Sequence, residues 1–387
     1  MYNFVTLLAQ GGPLTDLSLI LLAAGSSSRF DIGIKKQWLR IGHKPLWRFV
    51  ADNFAQTQQF SQIIIVTAQE DIPFMQIDSD YTFVVGGASR QASLTNAIKE
   101  VRTPYVLVSD VARACISKEL LTRIIAKRSE FDAVVPYLGV TDTIVYENKT
   151  IDRDKVKRLQ TPQLSKTSLL KAALQTDEEF TDESSAIVAY GGQRGFVKGD
   201  EEAHKITFVH DLQKIPCLQE PSRDILSGNG FDVHAFSDVG PMYLGGVKID
   251  VGYGFAAHSD GDVALHALID ALLGAAGLGD IGMLFPDNDI RYKGIDSKAL
   301  LKEVVAKLHS YGFVIVNVDL TIAAQKPRLS NYKAQMRTAI AAVLQIDTAR
   351  VNVKATTTER LGFIGREEGV GVFANANLKY FNWKMIG

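Results

Sequence analysis

Between Leu17 and Val209 short apolar runs return at intervals too long for hairpins, and this rhythm restricts the first half of the chain more than any other feature. Leu19-Ile20-Leu21-Leu22, Ile63-Ile64-Ile65-Val66, Tyr105-Val106-Leu107-Val108 and Ala133-Val134-Val135 are Leu-rich or β-branched and bounded by polar turns. Runs of that kind read as strands buried on both faces. Helix-length stretches lie between them, at 45–56 and 89–101 for example. Strand, helix and strand in series predict an α/β fold with a doubly wound, mostly parallel sheet.

The rhythm stops at Cys217-Leu218-Gln219-Glu220-Pro221-Ser222-Arg223-Asp224, a polar stretch broken by proline that reads as a linker. Beyond it come Gly-rich turns, a long Ala/Leu helix over 262–276 and further helices near 297–311 and 332–344. A chain of 387 residues has room for two ordinary domains. The division expected is 1–222 and 223–387, each half with its own core.

Charge and cysteine content exclude several classes. The formal net charge is −1, so no global field draws in nucleic acid or an anionic membrane. Anionic ligands must be held by local clusters. Cys115 and Cys217 are too few for a disulfide framework or a Cys-rich zinc site, and are expected to be idle thiols of a reducing compartment. Residues 1–16 hold no Lys or Arg and no Ala-x-Ala cleavage pattern, and the apolar run near 17–24 is too short to span a bilayer. A cytoplasmic location is expected.

Two regions carry chemistry. In the first half, Leu22-Ala23-Ala24-Gly25-Ser26-Ser27-Ser28-Arg29 follows the first strand. A small-residue loop there is either a plain tight turn or a cradle in which backbone N–H groups approach phosphates. Arg29 inside the loop and Lys36 shortly after it supply the cations that a triphosphate under attack requires. Gly86-Gly87-Ala88-Ser89-Arg90-Gln91-Ala92-Ser93 follows another strand, and Asp110 and Arg113 close a third. An Asp in that place suits a Mg²⁺ ligand or an acceptor for a sugar hydroxyl.

In the second half, Asp232-Val233-His234 on an extended segment puts both side chains on one face. Asp262, His266 and Asp270 share one stripe of the long helix, which is either a polar exposed face or a supply of ligands. Two His and one carboxylate leave a fourth tetrahedral position open, the pattern of a catalytic zinc. Asp270, one turn beyond His266, is placed to steady that ring, although a loop group could serve. Lys354-Ala355-Thr356-Thr357-Thr358-Glu359 gathers hydroxyls and an acid, as a capped helix start or as a diphosphate and Mg²⁺ site.

Taken together and in order, the first set resembles the 2-C-methyl-D-erythritol 4-phosphate cytidylyltransferase family over almost all of 17–212. The resemblance implies a Rossmann-like nucleotidyltransferase fold. It places Gly25, Arg29 and Lys36 on the CTP phosphates, Gly87 and Ser93 at the cytosine, and Asp110 and Arg113 near the substrates, with Asp110 at Mg²⁺. Asp152-Arg153 and Thr161-Pro162-Gln163 match segments whose Arg and Thr grip the methylerythritol phosphate, the Arg reaching across a dimer. Thr181 and the phosphate-binding Lys205 complete the set. Ala88 stands where the family often has an Asp at the base. The other reading is a cytidylyltransferase for another polyol phosphate, such as ribitol phosphate.

From about Gly228 to Lys379 the chain resembles 2-C-methyl-D-erythritol 2,4-cyclodiphosphate synthase, through Gly-Phe-Asp-Val-His-Ala-Phe and Ala-His-Ser-Asp-Gly-Asp-Val-Ala-Leu-His-Ala-Leu. The resemblance implies that family's α/β fold, Zn²⁺ or another divalent metal on Asp232, His234 and His266, and Mg²⁺ on Glu359. It places His258 and Ser259 on the substrate, Asp280, Ile281 and Gly282 at the ribose, and Thr356 and Thr357 on phosphate. Arg328 falls in the cytosine pocket, and Phe363 and Arg366 near a trimer axis. Implied partners are CTP, methylerythritol phosphate and its cytidyl diphosphate derivatives, other copies of the chain (dimeric first domains, trimeric second ones) and the kinase of the intervening step. A scaffold with one degenerate half is the competing class, against which the intact site residues of both halves speak.

Overall fold

A computed structural model describes residues 16–77, 79–257, 259–286, 292 and 294–386. The chain divides into two units: residues up to Glu220 together with the stretch from Asn382, and Pro221–Phe381. Among the described residues no helix is long and apolar enough to cross a membrane.

In the first unit eight strands form one sheet. Their order is Arg158–Leu159, Ala133–Leu138, Gln163–Lys166, Tyr105–Asp110, Leu17–Leu22, Gln62–Thr67 and Thr82–Val85, with Arg194–Lys198 also paired to Ala133–Leu138. The run from Tyr105–Asp110 to Thr82–Val85 is parallel. Gln163–Lys166 enters antiparallel to both its neighbours. Ile20, Ile64, Val106 and Val108 are completely buried, packed with Leu94 and Ala97 of the helix Arg90–Ile98. Cover on that scale explains why these strands read as unbroken apolar runs. The chain lays Gln62–Thr67 on one side of Leu17–Leu22 and later Tyr105–Asp110 on the other. That reversal opens a crevice at the carboxyl ends of the central strands.

The thiols are not idle. Cys115 and Cys217 are joined as a disulfide, with Cα atoms 5.8 Å apart. The loop after Tyr105–Asp110 meets the returning chain where the Ile206 N–H donates to the Ala112 carbonyl at 2.8 Å. This tertiary meeting has no local sequence sign.

In the second unit five strands lie in the order Gly254–Phe255, Leu226–Ser237, Gly369–Tyr380, Phe313–Ala323 and Val351–Thr356. The helix Val263–Ala276 packs on Leu226–Ser237 and Gly369–Tyr380. Its approach requires glycine. A Cβ at Gly230 would fall on the carbonyl oxygen of Ala267, and one at Gly228 on the backbone of Ala271 and Ala275. Asp262 caps the helix by accepting the Leu265 N–H, and its buried carboxylate also accepts from Gly245 at 2.8 Å and Gly246 at 2.6 Å. Asp262 is therefore a structural member of the predicted stripe.

Residues 382–386, which the sequence reading puts in the second domain, pack in the first unit. Trp383 is 1% exposed there, and its indole N–H donates to the Arg40 carbonyl at 2.8 Å. Removing a buried Trp side chain costs about 3–5 kcal/mol. Trp383→Ala is therefore expected to lower the denaturation midpoint of the first unit, and a piece ending at residue 222 should share the loss. An unchanged midpoint in both would show that the tail is dispensable.

Candidate active sites

A cavity of about 460 Å³ opens at the carboxyl edge of the first sheet. Gly25, Arg29, Lys36, Gly87, Ser93, Asp110 and Lys205 line it. The loop after Leu17–Leu22 turns through Ser27, at φ +59°, whose hydroxyl accepts the Lys36 N–H at 2.9 Å and so ties the two basic segments together. Gly87 lies against the start of the next helix. Its N–H donates to the Ser93 hydroxyl at 3.0 Å, and a Cβ there would sit 2.5 Å from that of Ala92.

The charges of this cavity hold one another. Asp110 accepts from Lys205 at 2.7 Å and Arg90 at 3.3 Å. Burial by itself would raise Asp110, but the guanidinium and ammonium outweigh it and keep the carboxyl below its ordinary range. Arg90 also meets the fully buried Glu183 at 2.7 Å. Burial raises Glu183, opposed by Arg90. Among the described residues no carboxylate pairs with Lys36, which donates to the Ile206 carbonyl at 2.7 Å. Burial first, then the charges of Lys205 and Arg29, push its ammonium down to about 8.

Other sequence-chosen residues of this half lie outside the cavity lining. The Arg113 guanidinium donates to the Ala203 carbonyl at 2.6 Å. Thr161 is buried, with its hydroxyl unpartnered. Thr181 is exposed. Arg153, in the turn after the exposed hairpin Ile144–Tyr146/Lys149–Ile151, donates to the Thr141 carbonyl at 2.6 Å.

In the second unit the long helix delivers His266 to Asp232 and His234. Both rings turn Nδ1 toward the same Asp232 oxygen, each at 3.3 Å. Two ligand atoms about 2.05 Å from a tetrahedral zinc stand roughly 3.3 Å apart, so the spacing fits a divalent ion. The donor set fits as well. His234 Nδ1 is buried without a hydrogen-bond partner, and burial lowers the ring's pKa, favouring the neutral form that binds metal. Among the described residues this is the one metal-competent group of three.

Asp270 does not steady His266. Its carboxylate accepts the Ile281 N–H at 2.8 Å instead. On its far side the ring meets hydroxyls. Nε2 lies 2.9 Å from Ser297 Oγ and 3.2 Å from Ser259 Oγ. Asp280 caps the short helix Ile281–Leu284, which contains Gly282, by accepting the Met283 N–H at 2.9 Å. Thr357 donates to Glu359 at 3.0 Å, while Thr356 and Arg328 stand exposed. Phe363 is also exposed, and Arg366 pairs with Glu368. His258 lies outside the described residues.

Three contributors were not singled out from sequence. Arg90 lies inside a quoted motif, and only the fold shows it holding Asp110 and Glu183 together. Glu183 looks like an ordinary first-turn acid. Ser297 looks like an ordinary helix start after the cap Asp296.

Comparisons with known proteins match both halves of the chain. A family model described as 2-C-methyl-D-erythritol 4-phosphate cytidylyltransferase matches residues 17–217, and the YgbB family model matches 225–379. The chain is similar to the bifunctional enzyme IspD/IspF of Sulfurimonas denitrificans, 66% identical over 386 residues and covering 100% of each chain. It is similar to the protein of that name from Sulfurovum sp., 54% identical over 95% of this chain and 99% of the relative. Among solved structures, the bifunctional IspDF from Campylobacter jejuni matches at TM-score 0.85 and 47% identity, over 95% of this chain and 99% of that one.

The depressed Lys36 yields a pH test. A bound triphosphate favours the ammonium, so binding above pH 8 must take up a proton and weaken as pH rises. Calorimetry of CTP in buffers of different ionisation enthalpy should show more proton uptake at pH 9 than at pH 7. Lys36→Met should abolish the difference. Equal uptake at both values in the unsubstituted protein would contradict the assignment.

Proposed function

The chain belongs to the bifunctional IspD/IspF family, and from that premise we propose how its residues divide the two reactions. The first half transfers CMP from CTP to 2-C-methyl-D-erythritol 4-phosphate and releases diphosphate. The second cyclises 4-diphosphocytidyl-2-C-methyl-D-erythritol 2-phosphate to the 2,4-cyclodiphosphate and releases CMP.

In the first reaction the acceptor phosphate oxygen attacks the α-phosphorus of CTP in line with the departing diphosphate. No covalent enzyme intermediate is needed, so positioning and charge neutralisation do the catalysis. Arg29 and Lys36 take the CTP phosphates. Lys205, held by Asp110, binds phosphate from the facing side. Gly87 and Ser93 receive the base, a reading supported by the closeness of Gly87 to the helix start. Both Asp110 oxygens already face cations, which supports an anchoring role for this carboxylate and leaves Mg²⁺ to the nucleotide phosphates. Thr161, Thr181, Arg113 and Arg153 hold the polyol phosphate.

Arg153 carries out that role across a dimer. Its place outside the lining of its own chain's cavity supports this, as do Val145 and Tyr146, about 60% exposed on the hairpin. In the second unit Phe231, Val233 and Phe373 make an exposed apolar patch, with the two phenyl rings 4.4 Å apart, which supports the trimer.

In the second reaction Asp232, His234 and His266 would hold Zn²⁺, and Glu359 would hold Mg²⁺. When bound, the metals supply positive charge to the diphosphate under attack by the 2-phosphate. Thr356 and Thr357 orient the diphosphate through their hydroxyls. Asp280, Ile281 and Gly282 meet the ribose, His258 and Ser259 the erythritol moiety, and Arg328 the cytosine. Phe363 and Arg366 belong near the trimer axis. Contact with the intervening kinase and a cytoplasmic location complete the proposal.

The observation that carries this reading is the presence of a basic cavity of about 460 Å³ in one unit and of a metal-competent triad in the other. Arg29→Ala or Lys36→Ala should lower cytidylyl transfer by about 10²-fold or more and leave cyclisation near normal. His266→Ala should abolish metal binding and CMP release while transfer survives. Near-normal transfer in both basic-residue variants, or loss of both activities in any one, would refute the division.

The dimer has its own test. Arg29→Ala and Arg153→Ala chains, each inactive in transfer, should regain about a quarter of the sites when mixed and allowed to exchange, because each mixed dimer restores one complete site. No recovery on verified exchange would place Arg153 in its own chain's site.

A further inference from the structure

His266 meets a hydroxyl from a different element on the side of the ring away from Asp232. Ser297 begins the helix Ser297–Ser310, is completely buried, and places Oγ 2.9 Å from His266 Nε2. The same Oγ lies 2.5 Å from Asp260 Oδ1, and the Ser297 N–H donates to Asp260 Oδ2 at 3.1 Å. A hydroxyl has one proton. A serine hydroxyl 2.5 Å from a carboxylate oxygen donates its hydrogen bond to that oxygen. Ser297 therefore offers His266 only a lone pair, which pairs with an imidazole proton on Nε2. Nδ1 is left with its lone pair, facing Asp232 Oδ2. Asp260 is held in turn by the Asp262 N–H at 3.2 Å, so the arrangement is anchored to the loop that starts the long helix.

We propose that Ser297 is a positioning residue of the metal centre: with Asp260 it holds His266 as the Nε2–H tautomer and presents Nδ1 to the cation. The inference rests on the reading of Asp232, His234 and His266 as metal ligands. It assigns to Asp260 and Ser297 the role that the stripe spacing had offered to Asp270.

Loss of a group that orients a metal-binding His lowers affinity by about 10–100-fold. Co²⁺ titrated into the full chain should give a visible ligand-field band that is absent in His266→Gln. Ser297→Ala should weaken that binding by about 10–100-fold. Asp270→Asn should weaken it far less. The tautomer itself is read in the metal-free protein, by ¹⁵N shifts of labelled histidine assigned against His266→Gln. The unsubstituted chain should show His266 protonated on Nε2. Asp260→Asn, whose carbonyl can keep the Ser297 N–H while its NH2 donates to Ser297 Oγ, should turn the Ser297 proton toward the ring and shift the population to Nδ1–H. If Co²⁺ gives no His266-dependent band in the unsubstituted chain, the metal reading fails and the proposal fails with it. If the band is present but His266 is protonated on Nδ1, or Ser297→Ala binds Co²⁺ unchanged, the positioning role alone is overturned.

Discussion

The second unit depends on how close a helix can lie to a sheet. Val263–Ala276 rests on Leu226–Ser237 at a distance that admits no Cβ at Gly228 or Gly230. Gly228 and Gly230 share the sheet face that bears Asp232 and His234, since strand side chains repeat every two residues. The surface that lets the helix in therefore continues into the surface that carries two of the proposed metal ligands. His266 sits in the first turns of that helix and completes the group. A helix standing an ångström or two farther out would still bury its leucines, but His266 would no longer reach the Asp232 carboxylate. Glycine here is a requirement of the chemistry as well as of packing.

The first unit meets the same demand, precise placement of charge, by another route. The whole chain is nearly neutral, so the attraction for phosphate must be concentrated. The crossover of the parallel sheet gathers Arg29, Lys36 and Lys205 at one edge. Bare cations so close repel one another, and Asp110 and Glu183 answer for Lys205 and Arg90. Among the described residues no carboxylate pairs with Lys36, which titrates low. An arriving phosphate would favour its ammonium, whereas Arg90 is already paired with Asp110 and Glu183 and acts as a strut.

Much of this was legible in the sequence. Strands buried on both faces announce themselves as apolar runs, and Asp-x-His followed by a helical His pointed to side chains that the fold does bring together, because both signals are periodic within single elements. What was not legible lies between elements. Spacing along one helix nominated Asp270 for His266, but the carboxylate turns to the Ile281 N–H and a serine from another helix takes its place. Cys115 and Cys217 meet through a return of the chain that no local pattern records. Trp383 closes the sequence beside the second half, yet its indole is buried in the first unit. Arg90 shows the intermediate case, a residue visible in a motif whose work is visible only in three dimensions.

The placement of the three ligands can be measured directly. Crystals of the full chain grown with Zn²⁺ and recorded at the zinc absorption edge should show one anomalous peak per chain, bonded to the Asp232 carboxylate, His234 Nδ1 and His266 Nδ1. Tetrahedral bonds of about 2.0–2.2 Å are expected, with the fourth position open to solvent or phosphate. A zinc peak elsewhere, or bonded through Nε2 of either ring, would contradict the site as described.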